Sequence, residues 1–387
     1  MTVRLKPVEE QVIVIVGASS GIGLATARAA ADRGAKLVLV ARNGEALDEV
    51  VKECAAKGTK AVAVAADAAN RDDLLRVEEE ATRTFGGFDT WINNAAVALY
   101  GTLEDIPLED QRRLFDVNYW GMVYGSLIAA RTLKSRGGAI INTGSVLSER
   151  TMILQTPYSA SKHAVKGFTD GLRMELEREG APVSVTLIKP SAIDTPYPEH
   201  ARLYTEKPGA TLPPPAYDPM VVAKAMLFAA ENPKRELTVG FGGWAIAALG
   251  TVAPRTTDLL MEAAGYATQT TDNPGRRERR DNLYQPREDG AERSSLPGGS
   301  RKTSLFLEAQ MHPVATALAL AGFGLVLAQL VRPKGPAPRH SAVPARRYEG
   351  LTPRVGNGEH REAVGPGRYP RGETPCPVRP RPAQPRH

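Results

Sequence analysis

The stretch QTPYSASKHAVKG, residues 155–167, sets a tyrosine four positions before a lysine in a run that reads as a helix. Residues at i and i+4 are neighbours on a helix surface, so the Lys162 ammonium can stand beside the Tyr158 phenol with only small side chains around them. Two readings fit. One is an ordinary surface pair; the other is a phenol that gives and takes a proton with a cation at its side. A two-residue motif does not separate them.

A second stretch, VIVIVGASSGIGLATA, puts Gly17, Gly21 and Gly23 at a turn from strand to helix. Glycines there let the backbone bend sharply and approach a pyrophosphate, and the amide N–H groups opening the helix carry the partial positive charge that holds phosphates. The spacing is G-x-x-x-G-x-G, not the G-x-G-x-x-G of the commonest dinucleotide fold. Its position, straight after a strand and opening a helix, points to nucleotide binding.

GASSGIG, NNAA at 93–96, Asn118 in FDVNYWG, Ser145 in INTGSV and YSASK follow one another in an order and spacing that resembles the short-chain dehydrogenase/reductase family over about the first 240 residues. The resemblance implies a Rossmann-type fold and makes Tyr158 the general acid/base. It also implies that Lys162 binds the nicotinamide ribose, that Ser145 orients the substrate oxygen, and that Asn118 anchors a water relay to Lys162. Dinucleotide contacts are expected at Gly17, Ser19, Ser20, Gly21, Ile22, Gly23, Asn94, Ala95, Tyr158, Lys162, Pro190 and Thr195. Asp67 is similar to the family aspartate that contacts adenine, although a turn-forming Asx residue would look the same.

Reducing a carbonyl develops an alkoxide that needs a proton donor, and a tyrosine of pKa ~10 is poorly matched to neutral pH. The Tyr158 pKa is therefore expected to fall, helped by Lys162 and by the positive ring of oxidised cofactor. At the end of the second strand, KLVLVARNGEALDE has Ala41 where an NAD-binding carboxylate would stand, followed by Arg42. The guanidinium fork suits a 2′-phosphate, so NADP(H) is the expected cofactor, with NAD(H) also admitted. Val16 replaces the usual threonine before the first glycine, which removes a hydroxyl that ties the loop to the Asn93 segment. Ala96 and Ser191 replace family glycines.

The elements that must position these groups are visible as Val/Ile-rich runs at 11–16, 36–41, 60–65, 88–92, 138–143, 183–189 and 236–240, separated by helical patterns. That alternation predicts an α/β fold, a doubly wound parallel sheet with helices on both faces; its expected strand order is 3-2-1-4-5-6-7. The catalytic domain is expected to fill residues 1–272. A charged, turn-rich linker follows at 273–310, then an apolar helix at 311–331 and a basic tail at 332–387. The segment after Thr195, PYPEHARLYTEKPGATLPPPAYDP, reads as a substrate-covering lid.

The tail holds 12 Lys+Arg against 4 Asp+Glu, a net of +8 in a chain of +6, so the remainder is slightly acidic. Nucleic acid is excluded as a main partner, because the basic charge is not on the folded domain. Two cysteines, Cys54 and Cys376, give neither a disulfide framework nor a metal spacing. The start of the chain has no signal-peptide pattern, so a cytoplasmic location is expected. Pro313 to Val331 is an uncharged run of 19 residues, a helix ~28 Å long, close to the ~30 Å hydrocarbon core of a bilayer. A span would export the basic tail against the positive-inside tendency, so membrane contact along an interface and a buried helix both stay open. The expected activity is NAD(P)H-dependent interconversion of a small, lipophilic carbonyl and an alcohol by a homodimer or homotetramer. The alternative is a non-catalytic, membrane-docked redox sensor.

Overall fold

The structure, a computed structural model, describes residues 3–275, 280–287 and 290–331. The basic tail lies outside the described residues. Seven strands form one parallel sheet: β1 Val12–Val16, β2 Lys36–Ala41, β3 Ala61–Ala65, β4 Thr90–Asn93, β5 Gly138–Thr143, β6 Val183–Pro190 and β7 Glu236–Val239. Their order is 3-2-1-4-5-6-7, as expected. Alternate side chains of a strand face opposite sides, and both sides are covered. Ile13, Ile15, Leu37 and Leu39 pack with α1 (Gly21–Asp32) and α2 (Gly44–Ala56). Val12, Val14, Val16, Val38 and Val40 pack on the other face with α3 (Arg71–Phe85). Removing each such side chain from water contributes ~1.5–3 kcal/mol.

Helices start where the sequence supplies caps. Asn43 accepts from the Ala46 amide at 3.1 Å, and Asn70 from the Asp72 amide at 2.9 Å. Next come α4 (Leu108–Phe115), one wide π turn over Asp116–Trp120, α5 (Gly121–Arg136), and α6 (Thr156–Arg178), which carries the tyrosine and lysine. The expected lid is pinned rather than loose. It holds a short helix α7 (Tyr197–His200), and its Arg202–Tyr204 pairs with Leu99–Gly101, while Gly209–Ala210 pairs with Thr270–Thr271.

The chain continues through α8 (Pro219–Glu231), α9 (Phe241–Val252), α10 (Pro254–Gln269), α11 (Leu305–Met311) and α12 (Pro313–Val331). The described part of 280–311 does not run clear of the domain as a linker would. Asp281 pairs with Arg202 at 3.0 Å, Arg293 with Asp218 at 2.6 Å, and the Tyr284 hydroxyl donates to Asp110 at 2.7 Å. Its charges have partners far away in sequence, so composition alone reads it wrongly. Leu307 and Met311 of α11 join the core beside β7. On α12, Val314, Leu318, Leu320, Phe323, Val326 and Leu327 are exposed. Among the described residues no helix is long and apolar enough to cross a membrane. The side chains of 324–325 and 328–331 lie outside the described residues.

Candidate active site

The glycine turn is built as the spacing requires. Gly17 has φ of 90°, and a Cβ on Gly23 would stand 1.8 Å from the Gly17 carbonyl oxygen. Asn94 ties the turn to the end of β4: its amide N–H donates to the Val16 carbonyl at 3.0 Å and its Nδ2 to the Gly17 carbonyl at 3.1 Å.

Beside this turn lies a cleft of about 360 Å³. Gly17, Ser19, Ser20, Gly21, Ile22, Arg42, Asp67, Asn94, Ala95, Ser145, Tyr158, Lys162, Pro190 and Thr195 all line it. Gly23 and Asn118 are not among its lining residues. Asn118 spends its side chain on the backbone of Val97, accepting from its amide at 2.8 Å and donating to its carbonyl at 3.0 Å. Asp67 is an Asx turn as well as a cleft residue: it accepts from the Ala69 amide at 3.0 Å and pairs with Arg113 at 2.6 Å.

Tyr158 and Lys162 are both buried, which excludes the surface-pair reading. The Lys162 ammonium donates to the Thr143 carbonyl at 2.8 Å and stands 5.6 Å from the centre of the Tyr158 ring. Burial pushes its pKa down to about 8. The expected fall in the Tyr158 pKa does not occur in the protein alone. Burial pushes it up to about 12, with the Tyr197 and Ser145 hydroxyls pulling the other way. Burial is the larger influence, so desolvation wins. At neutral pH the phenol keeps its proton and can donate it to a developing alkoxide.

Sequence reasoning missed Tyr197, Gln155 and Gln269, and a later segment of the chain as well. Tyr197 meets Tyr158 edge to face at 5.5 Å between ring centres, and its hydroxyl lies 3.2 Å from Oε1 of Gln155, which in turn bonds Gln269. Asn282, Pro286 and Arg287 line the same cleft. Arg42 donates to the carbonyls of Asn282, Leu283 and Tyr284, and the Gly21 amide donates to the Ala291 carbonyl at 2.9 Å. No local motif announces contacts that join segments 240 or more residues apart.

A parallel sheet in this order, a glycine turn at the end of its first strand and a buried tyrosine–lysine helix facing that turn define a dinucleotide-dependent oxidoreductase, and the chain belongs to the short-chain dehydrogenase family. A short chain dehydrogenase family model matches residues 11–203. The uncharacterized oxidoreductase YxnA of Bacillus subtilis is 46% identical over 321 residues, covering 82% of this chain and 90% of its own length. A short chain dehydrogenase from Burkholderia cenocepacia, solved in complex with NADP, is 28% identical with a TM-score of 0.56, covering 66% of this chain and 99% of that one. L-sorbose reductase from Gluconobacter frateurii, solved with NADPH and L-sorbose, is 25% identical with a TM-score of 0.53, covering 62% and 97%.

The nicotinamide dinucleotide of this family fits the residues present. The close approach of Gly23 to Gly17, and of Gly17 to Ala95, where an added Cβ would meet the Ala95 nitrogen at 2.7 Å, brings backbone without side chains to the start of α1; the Gly21 amide there is held by the Ala291 carbonyl, a bond that a pyrophosphate would have to replace.

Proposed function

We propose that the protein interconverts a carbonyl and a primary or secondary alcohol, with Tyr158 as general acid/base and NADP(H) preferred over NAD(H). The convergence of the Tyr158 and Ser145 hydroxyls with the Lys162 ammonium in one buried cleft beside the glycine turn carries this reading. The dinucleotide, when bound, supplies or removes a hydride. Ser145 orients the substrate oxygen and Tyr158 hands it a proton, or takes one back in the reverse direction. Lys162 holds positive charge close to the ring on which the phenolate forms. Asn118 holds the Val97 strand-end segment and, through Ser161 at 3.3 Å, the first turns of α6.

Preference for NADP(H) is supported by Arg42 in the absence of a carboxylate at Ala41, and by the ligands of the two solved relatives. A 2′-phosphate would compete with the carbonyls of Asn282 to Tyr284 for the same guanidinium. A lipophilic substrate is supported by the apolar wall that Leu147, Met152, Ile246 and Met261 give the cleft. Contact with a membrane surface is supported by α9, which has no charged residue, lines the cleft with Gly242, Gly243 and Ile246, and exposes Phe241, Trp244, Leu249 and Val252. Exposed Leu127 on α5 and Met174 on α6 support a homodimer or homotetramer.

The test is oxidation of NADPH against a panel of ketones, aldehydes and lipid-like carbonyls, with Tyr158→Phe as control. Removing the proton donor should lower kcat by ~10²- to 10⁴-fold with dinucleotide affinity nearly unchanged. A variant that keeps more than about a tenth of wild-type kcat on a substrate whose chemical step limits the rate rules the assignment out.

A further inference from the structure

A second phenol, Tyr197, lines the same cleft and meets the Tyr158 ring edge to face at 5.5 Å between centres. The Tyr197 hydroxyl lies 3.2 Å from Oε1 of Gln155. An amide oxygen only accepts, so Tyr197 must be the donor there. Gln155 Nε2 then donates to Gln269 Oε1. Both glutamines are buried, and Leu154, just before Gln155, is the one non-glycine residue among those described with positive φ, at 66°. Gln269 ends α10, and the next two residues pair with Gly209–Ala210 of the covering segment.

With its single proton aimed at Gln155, Tyr197 can only accept from a protonated Tyr158. Once Tyr158 has given its proton away, the direction must reverse. We propose that Tyr197 is a positioning residue whose hydroxyl swings from Gln155 Oε1 to the Tyr158 oxygen as that oxygen becomes a phenolate, a role that rests on Tyr158 being the proton donor. The O–H bond of Tyr158 breaks and a new one forms on the substrate oxygen. Tyr197 keeps its own proton throughout and loses only its hydrogen bond to Gln155, so no further reactant is needed. The groups facing Tyr158 are Lys162 on its own helix, Ser145 after β5, Tyr197 on α7, and Tyr100 buried further back. Among these, Tyr197 and Ser145 favour the phenolate, whereas burial opposes it.

The experiment is an ultraviolet titration of the Tyr158 phenol in the cofactor-free protein, taken as the difference from Tyr158→Phe, alongside kcat and dinucleotide affinity. Tyr197→Phe should move the Tyr158 midpoint up by ~1 unit and lower kcat ~10-fold, the worth of one hydrogen bond, with dinucleotide affinity unchanged. Gln155→Leu should move the midpoint the opposite way, because Tyr197 loses its competing acceptor. Opposite shifts in two variants separate the proposal from a general loss of fold, which would drive both toward the ordinary tyrosine value. Unmoved midpoints in both, or a kcat loss with no midpoint shift, overturn it. Retained turnover in Tyr158→Phe would instead sink the assignment of the proton donor, whatever the titration of the second phenol shows.

Discussion

Two ionisable side chains share the cleft and are pushed in opposite directions by the same burial, Lys162 down to about 8 and Tyr158 up to about 12. Between the folded Lys162 value of about 8 and its ordinary 10.5, the unfolded chain holds a proton that the folded protein has lost. Stability therefore rises with pH in that window. The tyrosine works against it only above its ordinary 10, where the unfolded phenol ionises first. Lys162→Met should flatten the rise, worth up to ~2 to 3 kcal/mol, in denaturant unfolding compared near neutrality and near the tyrosine range; an unchanged slope would place the ammonium in water. Arg42→Ala should weaken NADPH by ~1.5 to 3 kcal/mol and leave NADH nearly unchanged, read by titrating both dinucleotides into both proteins. Equal losses would make Arg42 a clasp for residues 282–284 and nothing more. The glycine turn, Ser145, Tyr158 and Lys162 were legible in the sequence because each sits in a short run whose spacing carries meaning. Tyr197, Gln155 and Gln269 were not, because they come from three segments that only the fold brings together.

All seven strands were legible to within two residues at either end, since buried parallel strands leave unbroken apolar runs such as VIVIV and KLVLVA. The stretch after residue 272 misled for an identifiable reason. A charge run normally means a solvated segment, but Arg293, Asp281 and Ser295 find Asp218, Arg202 and Glu199 across the fold. Helix α11 shows the contrast within one turn. Leu305 is 84% exposed, whereas Leu307 is fully buried. Leu307→Ala should cost ~2 to 5 kcal/mol, and Leu305→Ala should stay within ~0.5 kcal/mol, both measured by chemical denaturation. Similar losses would mean that α11 does not seat on the core as described.

At the scale of the whole molecule, α9 and α12 both expose apolar side chains, and the proposed membrane contact rests on them. Full-length protein should float with anionic lipid vesicles and stay bound in high salt, because the apolar contribution is not screened. Placing acids at Trp244 and Val252, both exposed, should release it while leaving turnover of a water-soluble carbonyl intact; release of the wild type by salt alone would leave only charge as the tether. Gln310 closes the molecule at its other extreme. Its side-chain amide accepts from the Thr238 amide at 2.9 Å and donates to the Thr238 carbonyl at 2.8 Å, standing in for a missing strand beside β7. Chains are made from the N-terminus at a finite pace, and an uncapped edge strand invites pairing with another chain. Until Gln310 has emerged from the ribosome behind it, β7 of a nascent chain has an uncapped border, so the chance of capture by a neighbouring chain on the same message should grow with the length of chain that separates Val239 from Gln310.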